Sequence, residues 1–326
     1  MTEIKQYSAA ERRATTIKLV LLAGGAFIFG TGGFVIAGVL PSIAKSFEID
    51  IAEASLLITV YALVFAVGAP LIAMVTSRVP RAVLISVGLA VGTVGTILAA
   101  FVPTFELMIA ARVIGAIGAA AYVPAATSAA AAIAEPGKQG RAVALVTGGF
   151  TAATALGAPL GTAIGSIGTW HWSLWFVGGL GAIALAAIVF VLRGIPAASP
   201  MTVRERFAPL ASLRIGTVLF TILLVVAGQY SAYTFFGAVQ DRATDGNGLV
   251  LSVLLFVYGA AATVGNIAAG ALLGFFLEEV APLVFNQAVA QVQERLSQRV
   301  AEVDLEVHED AFQYWSRRAP KSPGRR

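Results

Sequence analysis

Long apolar runs alternate with short polar segments along most of the chain. Each run is long enough to cross a bilayer as a helix, which takes about 20 residues. A helix is required because lipid offers no hydrogen-bond partner to unpaired backbone amides. The pattern therefore predicts eight membrane-spanning helices. Their predicted bounds are 18–40, 54–76, 82–102, 107–133, 142–166, 173–193, 214–237 and 249–276.

The pattern changes after Gly270. Between about residues 287 and 303, apolar residues recur at spacings of three and four, and polar residues fill the other positions. This period predicts an amphipathic helix whose apolar stripe needs a partner. The stripe consists of Val289, Val292, Leu296, Val300 and Val303. The basic residues 316–326 are expected to be disordered, and either solvated or in contact with anionic lipid.

The composition places the chain among membrane proteins. Of its 326 residues, 58% are hydrophobic and 12% are charged, and the mean hydropathy of +0.84 lies outside the soluble globular range. The first apolar run is too long for a cleaved signal peptide, and we expect it to remain as the first span.

No chemical site of an enzyme is visible. The chain has no cysteine, which excludes disulfides and thiolate metal sites, and its two histidines, His171 and His308, fall in different regions. We find no phosphate-binding loop, no acidic pair and no nucleophile with a base. We therefore expect a protein that is not an enzyme and takes no metal and no cofactor.

Lysine and arginine are distributed unevenly between the connecting segments. They concentrate at the N-terminus and in alternate loops, whereas the opposite loops contain Lys45 and Arg242 beside acidic residues. The positive-inside rule then places the N-terminus in the cytoplasm, and an even number of spans places the C-terminus there too. This topology accounts for the net charge of +4, so we expect the lipid bilayer as a partner and no nucleic acid.

A polar connection with three prolines separates the first six spans from the rest. Six spans followed by such a hinge are typical of one half of a two-halved transporter. The predicted organisation is a cytoplasmic N-terminus (1–17), a six-helix half (18–193), a cytoplasmic linker (194–213), a partial second half of two helices (214–270), a helical tail (271–315) and the basic C-terminus (316–326).

Six stretches, in order, carry a resemblance to a known family. They are GTGGFVIAGVLPSIAKSFEIDIAEASLLITVYALVFAVGAPLIAMVT at 30–76, SRVPRAVL at 77–84, ARVIGAIGAAAYVPAA at 111–126, GGFTAATALGAPLGTAIGSIGTWHWSLWF at 148–176, AGQYSAYTFFG at 227–237 and LLFVYGAAATVGN at 254–266. Together they resemble the drug and sugar exporters of the major facilitator superfamily, in its drug:proton antiporter branch. The resemblance implies an all-α, polytopic bundle of the major facilitator type, truncated from twelve spans to about eight.

The same resemblance implies efflux of a small molecule, a drug or a sugar, across the bacterial inner membrane by alternating access, with protons as a candidate coupling ion. Related exporters often carry an acidic residue just before the Phe-Val-Ile of the first span, where this chain has Gly33. No Asp or Glu lies centrally in any of the first seven spans, so the sequence does not display a proton site.

Arg112 is the only basic residue deep within a predicted span. A charge at the bilayer centre costs ~2.5–3.5 kcal/mol or more, so such a residue normally faces a cavity or a partner. The resemblance implies the arginine of the family's fourth-helix motif, which is linked to proton coupling. The alternative is a structural arginine that bonds to neighbouring carbonyl groups.

Two further groups match family motifs. Five residues of the fifth span match an exporter motif: Gly149, Gly157, Pro159, Gly161 and Gly165. The motif is either a hinge and seal favouring export or simply part of a kinked packing helix.

The cytoplasmic turn between the second and third spans contains Arg78, Pro80 and Arg81. Family members commonly have an acid and a glycine where this chain has Ser77 and Pro80, so positive-inside anchoring is a strong alternative to a charge relay.

Polar and aromatic residues within the spans are candidates for a substrate cavity, or for hydrogen bonds between helices. They are Tyr61, Tyr122, Gln229, Tyr233 and Thr234.

The tail resembles a second family. The stretch AAGALLGFFLEEVAPLVFNQAVAQVQERLSQRVAEVDLEVHEDAFQYW at 268–315 is similar to the later part of a small bacterial family of helical proteins of unknown function. We therefore expect a fusion whose junction lies within residues 265–270. The rival to a transporter is a non-transporting fusion product, or a membrane anchor that presents the helix 287–303 to a cytoplasmic protein.

Overall fold

The computed structural model describes residues 9–192, 195, 212–245, 247–275, 279 and 281–307. All regular structure in these residues is helical, and eight helices are long and apolar enough to cross a membrane. The prediction of an all-α, polytopic bundle with eight spans is therefore confirmed. The predicted linker lies outside the described residues except for Ile195, Ser212 and Leu213, and the basic end 316–326 lies outside them entirely.

The spans have the following bounds. Span 1 is Ala9–Phe47, span 2 combines Ile51–Ala54 with Leu56–Val75, span 3 is Arg81–Ala99, span 4 is Phe105–Ile133, span 5 combines Gln139–Ala152, a π turn at Ala153–Gly157 and Ala158–Ile167, span 6 is Trp170–Val191, span 7 is Leu213–Thr234 and span 8 is Gly248–Phe275. A short helix, Phe236–Thr244, follows span 7, and the tail helix is Ala281–Val307.

The helices of span 1 and of the tail are longer than predicted. Span 1 was expected at 18–40 but runs from Ala9 to Phe47, and the tail helix was expected at 287–303 but runs from Ala281 to Val307. Hydropathy and amphipathic period mark only the part of a helix that is apolar or faces an apolar partner. Backbone hydrogen bonds continue the helix beyond that part wherever no residue stops it.

Small residues let spans 3 and 4 approach closely. A Cβ atom added to Gly95 would lie 2.9 Å from the carbonyl oxygen of Ala111, and one added to Gly118 would lie 2.6 Å from the carbonyl oxygen of Gly88. These distances are far shorter than a carbon–oxygen contact allows. Glycine is therefore required on both sides of this helix pair, in the manner common for helices packed in lipid.

Span 1 is the most buried of the spans. It packs against spans 5 and 6 on one side and against span 4 on another, and its side chains Val35, Ile36 and Ile43 are fully buried. Spans 2 and 3 in turn pack on span 4. The six spans thus form a continuous core in which span 1 is central.

The chain divides into two compact units, Met1–Thr263 and Val264–Arg326. In the second unit, the tail helix exposes much of the predicted apolar stripe: Val292 is 56% exposed, Leu296 59% and Val300 68%. Within this unit the stripe is therefore uncovered at these three positions.

Candidate functional site

A cavity of about 430 Å³ lies in the first unit, between spans 1, 2, 4, 5 and 7. Its volume is within the range of sites that bind small molecules, roughly 300–1,000 Å³. No charged side chain is among its described lining residues, and its polar groups are the hydroxyls of Tyr61, Tyr230, Tyr233 and Thr234. The wall is therefore apolar and largely aromatic.

Phe34 of span 1 is the centre of the aromatic wall. Its ring centroid lies 5.4 Å from that of Phe150 and 5.4 Å from that of Tyr233, both edge-on, and 5.9 Å from that of Tyr230. Edge-to-face pairs at such distances are favourable beyond the area they bury. The Tyr233 hydroxyl also donates to the carbonyl oxygen of Phe34 at 3.5 Å, so span 7 is attached to span 1 at this point.

Arg112 of span 4 lies behind this wall and is only 2% exposed. Its Nη1 donates to the carbonyl oxygen of Gly32 at 2.9 Å and its Nε to that of Leu57 at 3.5 Å. The guanidinium carbon lies 4.2 Å from the ring centroid of Tyr61, a cation–π contact. In the described part of the chain Arg112 forms no ion pair with an acidic residue.

Tyr61 connects Arg112 with the cavity, because its ring lines the cavity and also contacts the guanidinium. Arg112 bonds to two carbonyl groups, as expected of a structural arginine. It also contacts the cavity residue Tyr61, and its role in proton coupling stays a prediction.

The structure brings three of the five predicted cavity residues together, namely Tyr61, Tyr233 and Thr234. Tyr122 does not line the cavity, because its fully buried ring packs 5.1 Å from that of Phe29 and its hydroxyl donates to the carbonyl oxygen of Leu22 at 3.0 Å. Gln229 does not line it either, since its Nε2 donates to the Tyr258 hydroxyl at 3.3 Å.

The glycines of the fifth-span motif face span 1 at regular intervals. Gly149 lies against Ala23, Gly157 against Thr31, Gly161 against Val35, and Gly165 against Val39 and Ser173. The motif therefore forms a close interface between spans 1 and 5.

A π turn interrupts span 5 directly before Pro159. The N–H of Ala158 bonds to the carbonyl oxygen of Ala153, five residues earlier. Pro159 has no N–H to offer to Ala155, four residues before it, so a regular α-helix would leave that carbonyl unpaired. The kink predicted from the proline thus takes the form of a wider turn, a type often found at functional positions.

Arg78, Pro80 and Arg81 lie in the turn between spans 2 and 3, apart from the cavity. Arg78 and Pro80 are exposed and Arg81 is half-buried. Pro80 precedes the first residue of span 3 and accepts the N–H of Leu84 on its carbonyl oxygen.

Sequence reasoning missed three residues of the aromatic wall, Phe34, Phe150 and Tyr230. Phe34 follows Gly33, where related exporters often carry an acid, and Gly33 itself lines the cavity. That comparison could have directed attention to Phe34. Phe150 carries no comparable signal, because its position depends on how span 5 packs. Tyr230 is a polar residue of an apolar span, as Tyr233 is, but helical spacing put Gln229, Tyr233 and Thr234 on one face without it.

The fold and the cavity define a multi-pass helical membrane protein of the transporter class. The chain belongs to the major facilitator superfamily, since the model of that family, described as Major Facilitator Superfamily, matches residues 22–285. Membership of the superfamily, expected from the resemblance of the first 270 residues, is thereby confirmed, and the match extends 15 residues past Gly270. The drug and sugar exporter branch stays a prediction. The fusion within 265–270 stays a prediction.

Several relatives and solved structures are similar to this chain. The uncharacterized MFS-type transporter YbcL of Bacillus subtilis is 33% identical over 253 residues, 78% of this chain and 65% of that protein. The chloramphenicol resistance protein of Streptomyces lividans is 31% identical over 264 residues, 78% of this chain and 66% of that protein. The chain thus spans about two thirds of the length of these relatives.

The fold is similar to that of a bacterial homologue of the human lysosomal transporter Spinster, solved in an inward-facing, unoccupied conformation. The TM-score is 0.64 at 22% identity, covering 83% of this chain and 64% of that one.

Proposed function

We propose that this chain exports small apolar molecules across the bacterial inner membrane by alternating access. The observation that carries the proposal is the cavity of about 430 Å³ whose described lining has no charged side chain. Membership of the superfamily and similarity to a chloramphenicol resistance protein support it.

The apolar wall favours uncharged, aromatic substrates. Burial of apolar surface contributes about 25 cal/mol per Å², and aromatic rings of a substrate would pack edge-on against Phe34 and Phe150. A charged solute would lose its hydration without gaining a counter-charge from the wall, which is unfavourable. The hydroxyls of Tyr230 and Thr234 would orient a substrate rather than supply most of its binding energy.

Alternating access requires helices on both sides of the substrate to move relative to each other. Spans 1, 2, 4 and 5 supply one side of the cavity and span 7 the other. The π turn of span 5, which packs against Thr31 and Gly259, supports the proposal that the Gly149–Gly165 segment acts as a hinge and seal favouring export. Arg112, in contact with cavity residue Tyr61, is the residue we propose for proton coupling.

The experiment fills the cavity and measures export. Ala66 lines the cavity and Ala182 is exposed on span 6, so Ala66→Trp and Ala182→Trp add the same bulk at the two kinds of site. Cells expressing the wild type should accumulate less Nile red, an uncharged apolar dye, than cells with an empty vector. Ala66→Trp should abolish that difference and Ala182→Trp should retain it.

Equal accumulation with the wild type and the empty vector would refute the transport proposal in favour of the rival, a non-transporting chain. A proton ionophore then tests coupling: it should raise accumulation in wild-type cells, and Arg112→Gln cells should not respond. An unchanged wild-type signal would refute coupling alone.

The tail supports a second proposal, that it binds a protein partner. The exposed stripe at Val292, Leu296 and Val300 carries it. A photo-reactive residue placed at Leu296 of the full chain should yield a discrete crosslinked protein, and one at exposed Gln298, on the opposite face, should not. Equal crosslinking at the two positions, or none at either, would contradict a stripe-specific partner.

A further inference from the structure

A second, much smaller cavity is lined in part by Arg112. Its volume is about 10 Å³, and it is bounded by spans 1, 2, 3, 4 and 6. That space is close to the smallest that holds one water-sized particle. Its polar lining comes from Tyr61, Thr93, Thr96 and Arg112.

Two residues of this lining each have a buried polar atom that lacks a hydrogen-bond partner among the described residues. These atoms are Nη2 of Arg112 and Oγ1 of Thr93, in side chains that are 2% and 7% exposed. Thr96 differs, because its hydroxyl donates to the carbonyl oxygen of Gly92 at 2.9 Å. Buried polar atoms are almost always satisfied in folded proteins, so two such atoms at one cavity indicate a bound particle that accepts hydrogen bonds from both.

The charge of Arg112 decides between a neutral particle and an anion. The other two hydrogen bonds of the guanidinium go to carbonyl oxygens, which carry only partial negative charge, and Tyr61 offers the face of its ring. A buried charge normally requires an opposite charge nearby. In the described part of the chain no acidic residue pairs with Arg112.

We propose that the small cavity binds a monovalent anion of the size of chloride, held by Arg112 Nη2 and Thr93 Oγ1. Both groups can donate hydrogen bonds, as an anion requires, and the small volume of the cavity excludes a larger oxyanion. The anion supplies the negative charge that a carboxylate would otherwise provide. Because Tyr61 lines both cavities, the anion stabilises the wall that separates Arg112 from the larger one.

The first test measures thermal stability of the purified full chain in detergent. Wild type should melt on the order of 5 °C higher in sodium chloride than in sodium gluconate of equal ionic strength, because a ligand that binds the folded state raises Tm. Thr93→Val should lose this chloride dependence. Thr162→Val is the matched control: its hydroxyl bonds to the carbonyl oxygen of Ala158 at 2.8 Å, away from the small cavity, and the dependence should remain.

A second variant supplies the charge covalently. Thr93→Asp places a carboxylate at the cavity, so it should melt at one temperature in both salts and no lower than the wild type does in gluconate. Binding of radioactive chloride to the purified protein should be measurable for the wild type and for Thr162→Val, and at least tenfold weaker for Thr93→Val and Thr93→Asp.

The proposal would be overturned if the wild type had the same Tm in both salts and bound no radioactive chloride. A water molecule would then be the occupant. A chloride dependence that persists in Thr93→Val would also overturn it, since the anion would then act elsewhere. None of these readouts depends on transport, so the proposal can fail while the export proposal stands.

Discussion

Tyr61 contacts the buried charge of Arg112 and also lines the larger, apolar cavity. Its ring faces the Arg112 guanidinium at 4.2 Å and also lines the larger cavity. A desolvated cation–π contact contributes about 2 kcal/mol. We therefore predict that Tyr61→Leu lowers the free energy of unfolding by about that amount, and that Tyr61→Phe lowers it by much less because the ring is kept. Unfolding of the purified variants in detergent measures both, and equal losses for Leu and Phe would show that the hydroxyl matters rather than the ring.

Glu135, in the turn between spans 4 and 5, gives a prediction of pH dependence. It accepts a hydrogen bond from Lys138 at 2.6 Å and lies 3.5 Å from Arg12. The bond from Lys138 and the two positive charges hold the pKa of the Glu135 carboxyl below its usual value. Since the pKa is lower in the folded state, the stabilisation is present above the unfolded value of about 4.3 and is lost as the pH falls through the folded value.

Glu135→Gln should accordingly be less stable than the wild type at neutral pH and equal to it well below pH ~4. Thermal unfolding across this pH range measures the difference. In a Lys138→Gln background the effect of Glu135→Gln should shrink, because the main partner is gone. An effect that is the same at every pH would assign it to packing instead of charge.

At the scale of helices, the spans could be predicted because lipid imposes both length and hydrophobicity on each of them. The shape of span 5 could be predicted only in part. Pro159 shows that a backbone hydrogen bond is lost. Whether the helix then forms a sharp kink or a π turn depends on the fit of Gly157 and Gly161 against span 1. That fit is a property of two helices together, so one sequence segment does not contain it.

The contact of spans 3 and 4 yields a prediction for an element pair. Gly118→Ala adds a Cβ atom that would overlap the backbone of Gly88 and Gly92, so the helices must separate. We expect a loss of about 1–3 kcal/mol, the usual effect of overpacking. Gly148→Ala is the control, because nothing lies within 4 Å of its added Cβ atom, and it should be neutral or stabilising through helix propensity. Destabilisation by both variants to the same extent would argue against a specific contact.

At the scale of the molecule, the cavity is the feature that sequence reasoning reached least well. Tyr61, Tyr233 and Thr234 were accessible as polar residues within apolar helices. The sequence does not show which of such residues line the cavity. Tyr122 and Gln229 are also polar residues within apolar helices, but they bond to Leu22 and Tyr258 instead. Which hydroxyl faces the cavity is decided by the rotation of each helix against its neighbours. Hydrophobic spans with little amphipathic pattern do not encode that rotation in one sequence.

The orientation of the whole bundle in the membrane can be tested with unusual clarity because the chain contains no cysteine. A single introduced cysteine is then the only thiol that a reagent can label. Ser46 and Gly140 are both exposed. Ser46 lies in the last turn of span 1 and Gly140 in the first turn of span 5, so the direction of the chain places them at opposite ends of the first unit's helices. The positive-inside rule places Ser46 outside the cytoplasm and Gly140 within it.

Ser46→Cys should therefore react with a membrane-impermeant maleimide in intact spheroplasts. Gly140→Cys should react only after the membrane is permeabilised. A permeant maleimide, which should label both variants, controls for accessibility of the thiol itself. The reverse labelling pattern would invert the bundle, place Arg78 and Arg81 on the outer side, and turn a favoured direction of export into one of uptake.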